Sequence, residues 1–256
     1  MKKLLFLTIL ILLFSCKEDK KSIDDLRNPN DKTDQLVAID TLNLYDKALK
    51  IDTLVFEKLK NLNVLDKVLA VTLKTGFTKD RIEINFCRLD FYCKNKLIQS
   101  IPVETYASSE DPIWSMYENV FTNDTTKNSD SRFFEISYGV GACGYVQSNF
   151  LFFVENNVFQ LVSKYDSVGD GPYGNYVAFN PNFVGNEVVS FSSKKVVIDS
   201  DETKPYNEEN ENFVITFFDS TIYKMKHGKW SGQLKTIKDK DYKKDFKTYK
   251  ELYPSE

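Results

Sequence analysis

Short apolar runs separated by two-residue polar turns constrain this chain more than any other feature. The runs 150–154 and 158–162 flank Asn156-Asn157, and Lys94-Asn95 leads into the run 97–103. Ser193-Lys194 divides 188–191 from 196–198, Asp219-Ser220 divides 213–218 from 222–225, and His227-Gly228 turns the chain again. Tight hairpin turns favour residues that tolerate positive φ, so this spacing predicts consecutive antiparallel strands rather than βαβ units. The expected fold is mainly β, an antiparallel sandwich or a barrel-like domain. Within 80–92 the alternation Ile82, Ile84, Phe86 continues as Cys87, Leu89, Phe91, one position out of phase. A β-bulge between Phe86 and Cys87 would return both halves to one face.

Two helices complete the expectation. Asp111 and Pro112 form a helix-start signal ahead of Ile113, Met116, Tyr117, Val120 and Phe121, which predicts a short central helix. Tyr242, Phe246, Tyr249 and Tyr253 recur at i, i+4, i+7 and i+11, with Lys243, Lys244, Lys247 and Lys250 on the other side. That spacing predicts a C-terminal amphipathic helix whose aromatic stripe docks on the β domain. An apolar fraction of 42% with 14% aromatics is enough for a core, unlike a disordered chain. The formal charge of −3 argues against nucleic acid. Acids gather over 199–211 and lysines over 224–250, which reads as two solvated faces.

The chain begins with Lys2-Lys3, an apolar stretch over 4–14 containing one Thr, and Ser15-Cys16. The stretch is too short to span a bilayer core, which needs roughly 20 apolar residues. The charged run Lys17-Glu18-Asp19-Lys20-Lys21 follows it. Leu13-Phe14-Ser15-Cys16 resembles the looser lipobox of Bacteroidetes lipoproteins, and Lys17, Glu18 and Asp19 resemble their signal for export to the outer surface. The resemblance implies cleavage after residue 15, lipid on Cys16 and an outer-membrane location, surface-exposed or periplasm-facing. On that reading 1–15 is a signal peptide, 16–40 a polar lipidated tether and 41–256 a single β-rich domain. Asp40-Thr41-Leu42, Asp52-Thr53-Leu54 and Asp219-Ser220-Thr221 also resemble the Asp-Ser/Thr-apolar acceptor of O-glycosylation in the same group, where an Asx cap is the plainer alternative.

Residue arithmetic removes several chemistries. His227 is the single histidine, so multi-histidine zinc sites are absent and any catalytic pair with histidine must use it. No P-loop or G-x-S-x-G elbow occurs. Cys87 and Cys93 on one strand would lie about 20 Å apart, beyond disulfide reach, so any bridge uses Cys143, and otherwise the thiols pack as small apolar residues. No cofactor and no metal site is expected. Asp166 and Asp170 lack the company of oxygens that Ca²⁺ requires.

Gly139-Val140-Gly141-Ala142-Cys143-Gly144 and Gly169-Asp170-Gly171-Pro172-Tyr173-Gly174 both match G-x-G-x-x-G. Neither precedes a helix, as a dinucleotide loop must. A hairpin folded at Asn156-Asn157 would nevertheless carry both loops to the same end of the sheet. Around that end gather Tyr138, Cys143, Tyr145, Asp166, Asp170, Tyr173, Asn175 and Tyr176, a candidate binding site. The plainer alternative is that the glycines only serve turns while tyrosines cover an open end. Three functional classes follow. The leading one is a non-catalytic β domain, anchored to the membrane by lipid, that binds a ligand or partner, glycan or envelope protein. The others are an envelope hydrolase using carboxylates and a structural or assembly accessory. A shallow aromatic strip would favour glycan, a deep cleft with an acidic pair the enzyme, and a broad apolar patch the accessory.

Overall fold

Five consecutive apolar residues, 150–154, leave no polar side for water, and a strand of this kind must be covered on both faces. That is what the computed structural model shows. It describes residues 45, 47–61, 64–108, 110–123, 128–142, 144–205 and 211–254, all within the compact unit Leu44–Glu256. Cys143 lies outside the described residues, as do the signal, the tether and Cys16, Lys17, Glu18 and Asp19.

The architecture is mainly β, sandwich-like and not a closed barrel. One antiparallel sheet runs β1 (Lys50–Val55), β2 (Lys67–Phe77), β3 (Glu83–Cys93), β4 (Lys96–Tyr106) in that order. The second sheet starts from β5 (Ile113–Glu118), with the small pair β6 (Thr122–Asn123) and β7 (Asn128–Ser129) lying off it. It continues through β8 (Phe133–Gly139), β9 (Val146–Glu155), β10 (Val158–Asp170), β11 (Tyr173–Val184), β12 (Glu187–Ser200), β13 (Asn212–Lys226) and β14 (Lys229–Leu234), while β15 (Asp241–Thr248) pairs with the first half of β13. Two short helices, α1 (Glu57–Asn61) and α2 (Tyr249–Leu252), complete the described elements.

The central strands β8 and β9 face two cores. Phe134, Ile136, Phe150 and Phe152 pack against Val68, Leu89 and Phe91 of the first sheet. Phe133, Leu151 and Phe153 face the other way, onto Val188, Phe191 and Trp230 of the far half of their own sheet. Each such side chain contributes roughly 1.5–3 kcal/mol by leaving water. Two glutamines complete the closure. Gln99 bonds both the N–H and the C=O of Phe159, each at 2.9 Å, and Gln160 does the same for Trp230.

Three hairpin turns stand where the sequence places them. Lys94-Asn95, Asn156-Asn157 and His227-Gly228 all have positive φ, the geometry that two-residue hairpins demand. Two others are corrected. Ser193-Lys194 and Asp219-Ser220 are not turns; β12 and β13 run straight through them. The ladder shifts register between Ser193↔Thr221 and Lys195↔Phe218, so the two polar pairs oppose one another as an irregularity. At that kink β13 exchanges its outer partner, from β15 to β14. The real β11–β12 turn holds Gly185 at φ 61°.

The remaining corrections follow from pairing. The central helix is instead β5, whose Trp114 and Met116 face the core while Ile113 and Tyr117 are exposed; ladder bonds to β8 outweigh the Asp111-Pro112 start signal. The bulge at the 86/87 step sits in β2, where Leu73 is the extra residue. Cys87, Leu89 and Phe91 therefore face the core, and Phe86 lies under Lys74 Nζ, 4.8 Å from its ring. The C-terminal helix shrinks to α2, and Tyr242 and Phe246 belong to β15. The aromatic stripe docks only at ring edges: Tyr242, Phe246, Tyr249 and Tyr253 are all exposed, with Tyr242 6.5 Å from the Phe217 ring and Tyr249 6.4 Å from that of Phe213. Among the described residues no helix is long and apolar enough to cross a membrane.

Candidate functional site

The two glycine loops meet. Val146 pairs with Val168, and beyond that rung the Gly144 N–H donates to the Gly169 carbonyl at 2.8 Å. Gly174, at φ 134°, closes the β10–β11 hairpin opposite Gly169. A Cβ there would sit 2.0 Å from the Val168 carbonyl oxygen, so only glycine fits.

At this end the interior becomes polar. Trp114, Tyr138, Ser148 and Asp166 stand in one row across β5, β8, β9 and β10. The first sheet presents Asn85 opposite Thr105. Asn85 Nδ2 donates to the Tyr138 hydroxyl at 3.4 Å, and the Tyr106 hydroxyl donates to Asp166 Oδ2 at 3.3 Å. Burial, with the Cys87 and Asp52 charges, raises the Tyr138 phenol above its ordinary pKa, while the Asp166 carboxylate is the main cause of the rise at Tyr106. Cys87 carries a free buried thiol that burial pushes up, with partial relief from the Thr72 and Thr105 hydroxyls. Trp114 Nε1, Ser148 Oγ and Asp166 Oδ1 are buried with no hydrogen-bond partner in the structure.

Beside the glycine loops lies a shallow hollow of about 660 Å³, within the size range of small-ligand sites. Tyr173 and Phe246 supply its aromatic surface, Lys244 a cation, and Asp199, Asp201 and Glu202 its carboxylates. Phe246 is 63% exposed. The Tyr173 hydroxyl is held by Glu211, and Asp201 is tied into a local turn by the N–H and hydroxyl of Thr203.

The residues predicted from sequence therefore divide. Tyr138 and Asp166 belong to the polar interior, and Tyr173 to the hollow. Asp170 and Asn175 pair with Tyr173 and Val168 at the hairpin, and Tyr145 is exposed beside Gly144. Tyr176 points to the opposite face from Asn175, since neighbours alternate along a strand. Thr105, Ser148, Lys244 and Phe246 were missed. The period-two spacing of Lys244 and Phe246 is the signal that would have found the last two. Trp114 and Trp230 are buried and offer no stacking surface. Among the described residues no group of three or more His, Cys, Asp or Glu converges as a metal site. No protein-family model, curated protein or solved structure matches the chain.

Proposed function

We propose that this is a lipid-anchored outer-membrane lipoprotein whose β domain binds glycan, without catalysis, at the glycine-loop end. The observation that carries the reading is the hollow itself. It is shallow, it exposes Phe246 beside the half-buried Tyr173 ring, and it surrounds them with carboxylates and one lysine. Sugars offer an apolar face and a rim of hydroxyls, which suits aromatic stacking edged by acceptors and donors. A hydrolase reading has less support, because Asp201 serves its own turn and the hollow is open rather than a deep cleft.

The lipid anchor rests on the resemblance around Cys16. Several acyl chains would hold the protein permanently, where a single chain gives an association constant of only ~10⁴ M⁻¹. Binding of the full mature chain to an array of bacterial envelope glycans tests the reading. Phe246→Ala should weaken any positive on the order of tenfold, the scale of one lost stacking contact. An array on which the wild-type chain binds nothing counts against glycan. Palmitate labelling that persists in Cys16→Ser would count against the anchor.

A further inference from the structure

The strand register fixes the layout of the hollow. Asp199, Val214 and Phe246 stand in one row across β12, β13 and β15. Neighbouring strands lie about 4.8 Å apart, so the backbones that carry the carboxylate and the phenyl ring are roughly 10 Å apart, with Val214 as the floor between them. The Asp201 N–H donates to the Asn212 carbonyl at 2.9 Å, which carries the ladder one step beyond Ser200↔Phe213. Asp201 therefore shares the face of Asp199. It is only 6% exposed. Its Oδ1 takes both bonds from Thr203, the N–H at 3.1 Å and the hydroxyl at 2.6 Å. Among the described residues nothing bonds Oδ2, so a carboxylate set in the wall of the hollow keeps one oxygen without a partner.

We propose that the hollow selects a sugar bearing a free ammonium group, which Asp201 holds through Oδ2 while the pyranose ring lies over Val214 against Phe246. Charge selects the guest. Asp199, Asp201 and Glu202 line one side, and among the described residues no cation pairs with any of them. Lys244, on the other side with Phe246, already has Asp241 Oδ2 3.6 Å from its Nζ. An ionised carboxylate only accepts, whereas an ammonium brings three donors and no acceptor, so the two are complementary. Uronic acids and phosphorylated sugars would meet like charge on the acidic side. Among the described residues the carboxylates do not converge on a metal site, so the complement is an organic cation held by one oxygen, where a hard metal ion needs six or more. The inference rests on the glycan reading and narrows it to amino sugars.

NMR of the ¹⁵N-labelled full mature chain, titrated separately with methyl glucosaminide, methyl N-acetylglucosaminide, methyl glucoside and propylamine, tests it. The expected result is saturable movement of the Asp199, Asp201 and Phe246 amides with the glucosaminide, at an affinity about fivefold above that of the two uncharged sugars, the scale of one exposed ion pair. That preference should shrink as salt rises. Asp201→Asn keeps an oxygen for Thr203 and should bring the glucosaminide down to the affinity of the glucoside. Should that variant not fold, the exposed pair Asp199→Asn/Glu202→Gln carries the test, with a loss of about threefold expected. Equal affinity for the three sugars overturns the inference and leaves the glycan reading standing. Silence at these amides with every probe, in a chain that binds on the glycan array, also overturns the inference alone. Propylamine that binds as tightly as the glucosaminide, with no response to the glucoside, overturns both, because the hollow then recognises an amine without its sugar.

Discussion

The side-chain amide of Gln160 lies against the backbone of Trp230 as a peptide group would, accepting its N–H at 2.9 Å and donating to its carbonyl at 2.7 Å. This bond pair joins β14 to β10 without a ladder, so the far half of the large sheet is held over Phe133 and Phe153 while the sheet stays open.

Gln160→Ala should therefore destabilise the domain by about 1–3 kcal/mol, because both Trp230 backbone groups lose their partner. Gln160→Glu keeps the acceptor and loses the donor, and should fall between. Urea midpoints measure the cost, and the indole emission of Trp230 should shift in Gln160→Ala if β14 loosens. An unchanged midpoint would show that the glutamine does not hold the closure.

Asp130 plays a similar part at the other side of the same core. It is 3% exposed and accepts from the Arg132 N–H, from Arg132 Nε and Nη2, and from the Val188 N–H at 2.9 Å. Asp130→Ala should cost about 3 kcal/mol, since it leaves a guanidinium poorly paired and a buried donor empty. Asp130→Asn should cost less. Thermal melts compare the two, and equal costs would mean that charge contributes little here.

The pairings explain how far the sequence could be read. Asn156-Asn157 and His227-Gly228 were legible because positive φ is a local demand, met by local residues. Ser193-Lys194 and Asp219-Ser220 carry the same signature, yet each is satisfied by the other across the ladder. A bulge and a turn ask for similar residues, and only the partner strand distinguishes them. The stripe at 242–253 failed for a related reason. Its helical spacing is real, but ladder bonds from β13 claim 241–248 before a helix can form. The meeting of the glycine loops was legible, because hairpin symmetry about Asn156-Asn157 sets it. The polar interior was not, because Asn85 and Tyr138 come from different sheets and no local pattern joins them.

Tyr165 and Glu135 form a partly buried pair whose pH dependence has a definite sign. The Tyr165 hydroxyl donates to Glu135, and both groups are pushed up, chiefly by burial. For Tyr165 the folded value lies above the unfolded one, so its contribution is fully present below about pH 10 and is lost as pH rises further. Glu135 follows the same sign. Its contribution is complete below the unfolded carboxyl value and declines as pH rises through the higher folded value. Glu135→Gln should remove the acidic decline and be neutral or stabilising at pH 7. Tyr165→Phe should flatten the alkaline decline. Stability curves from pH 3 to 11 decide it, and a wild-type chain that loses no stability relative to Glu135→Gln between pH 5 and 7 would contradict the assignment.

Among the glycines at the meeting loops, Gly174 should be the one least able to change. Its φ of 134° is foreign to L side chains, and a Cβ would collide with the Val168 carbonyl at 2.0 Å. Gly171, at φ 58°, has open space around it. Strain alone at such a position costs about 1 kcal/mol or somewhat more, which is what Gly171→Ala should show. Gly174→Ala adds a backbone collision that can be relieved only by parting β10 from β11, where three rungs hold the hairpin. Hydrogen exchange should then accelerate at Val168 and Asn175 in Gly174→Ala while Phe152 on β9 stays protected. Equal exchange in the two variants would mean that the hairpin tip yields easily, and that Gly174 does not brace the β10–β11 pair.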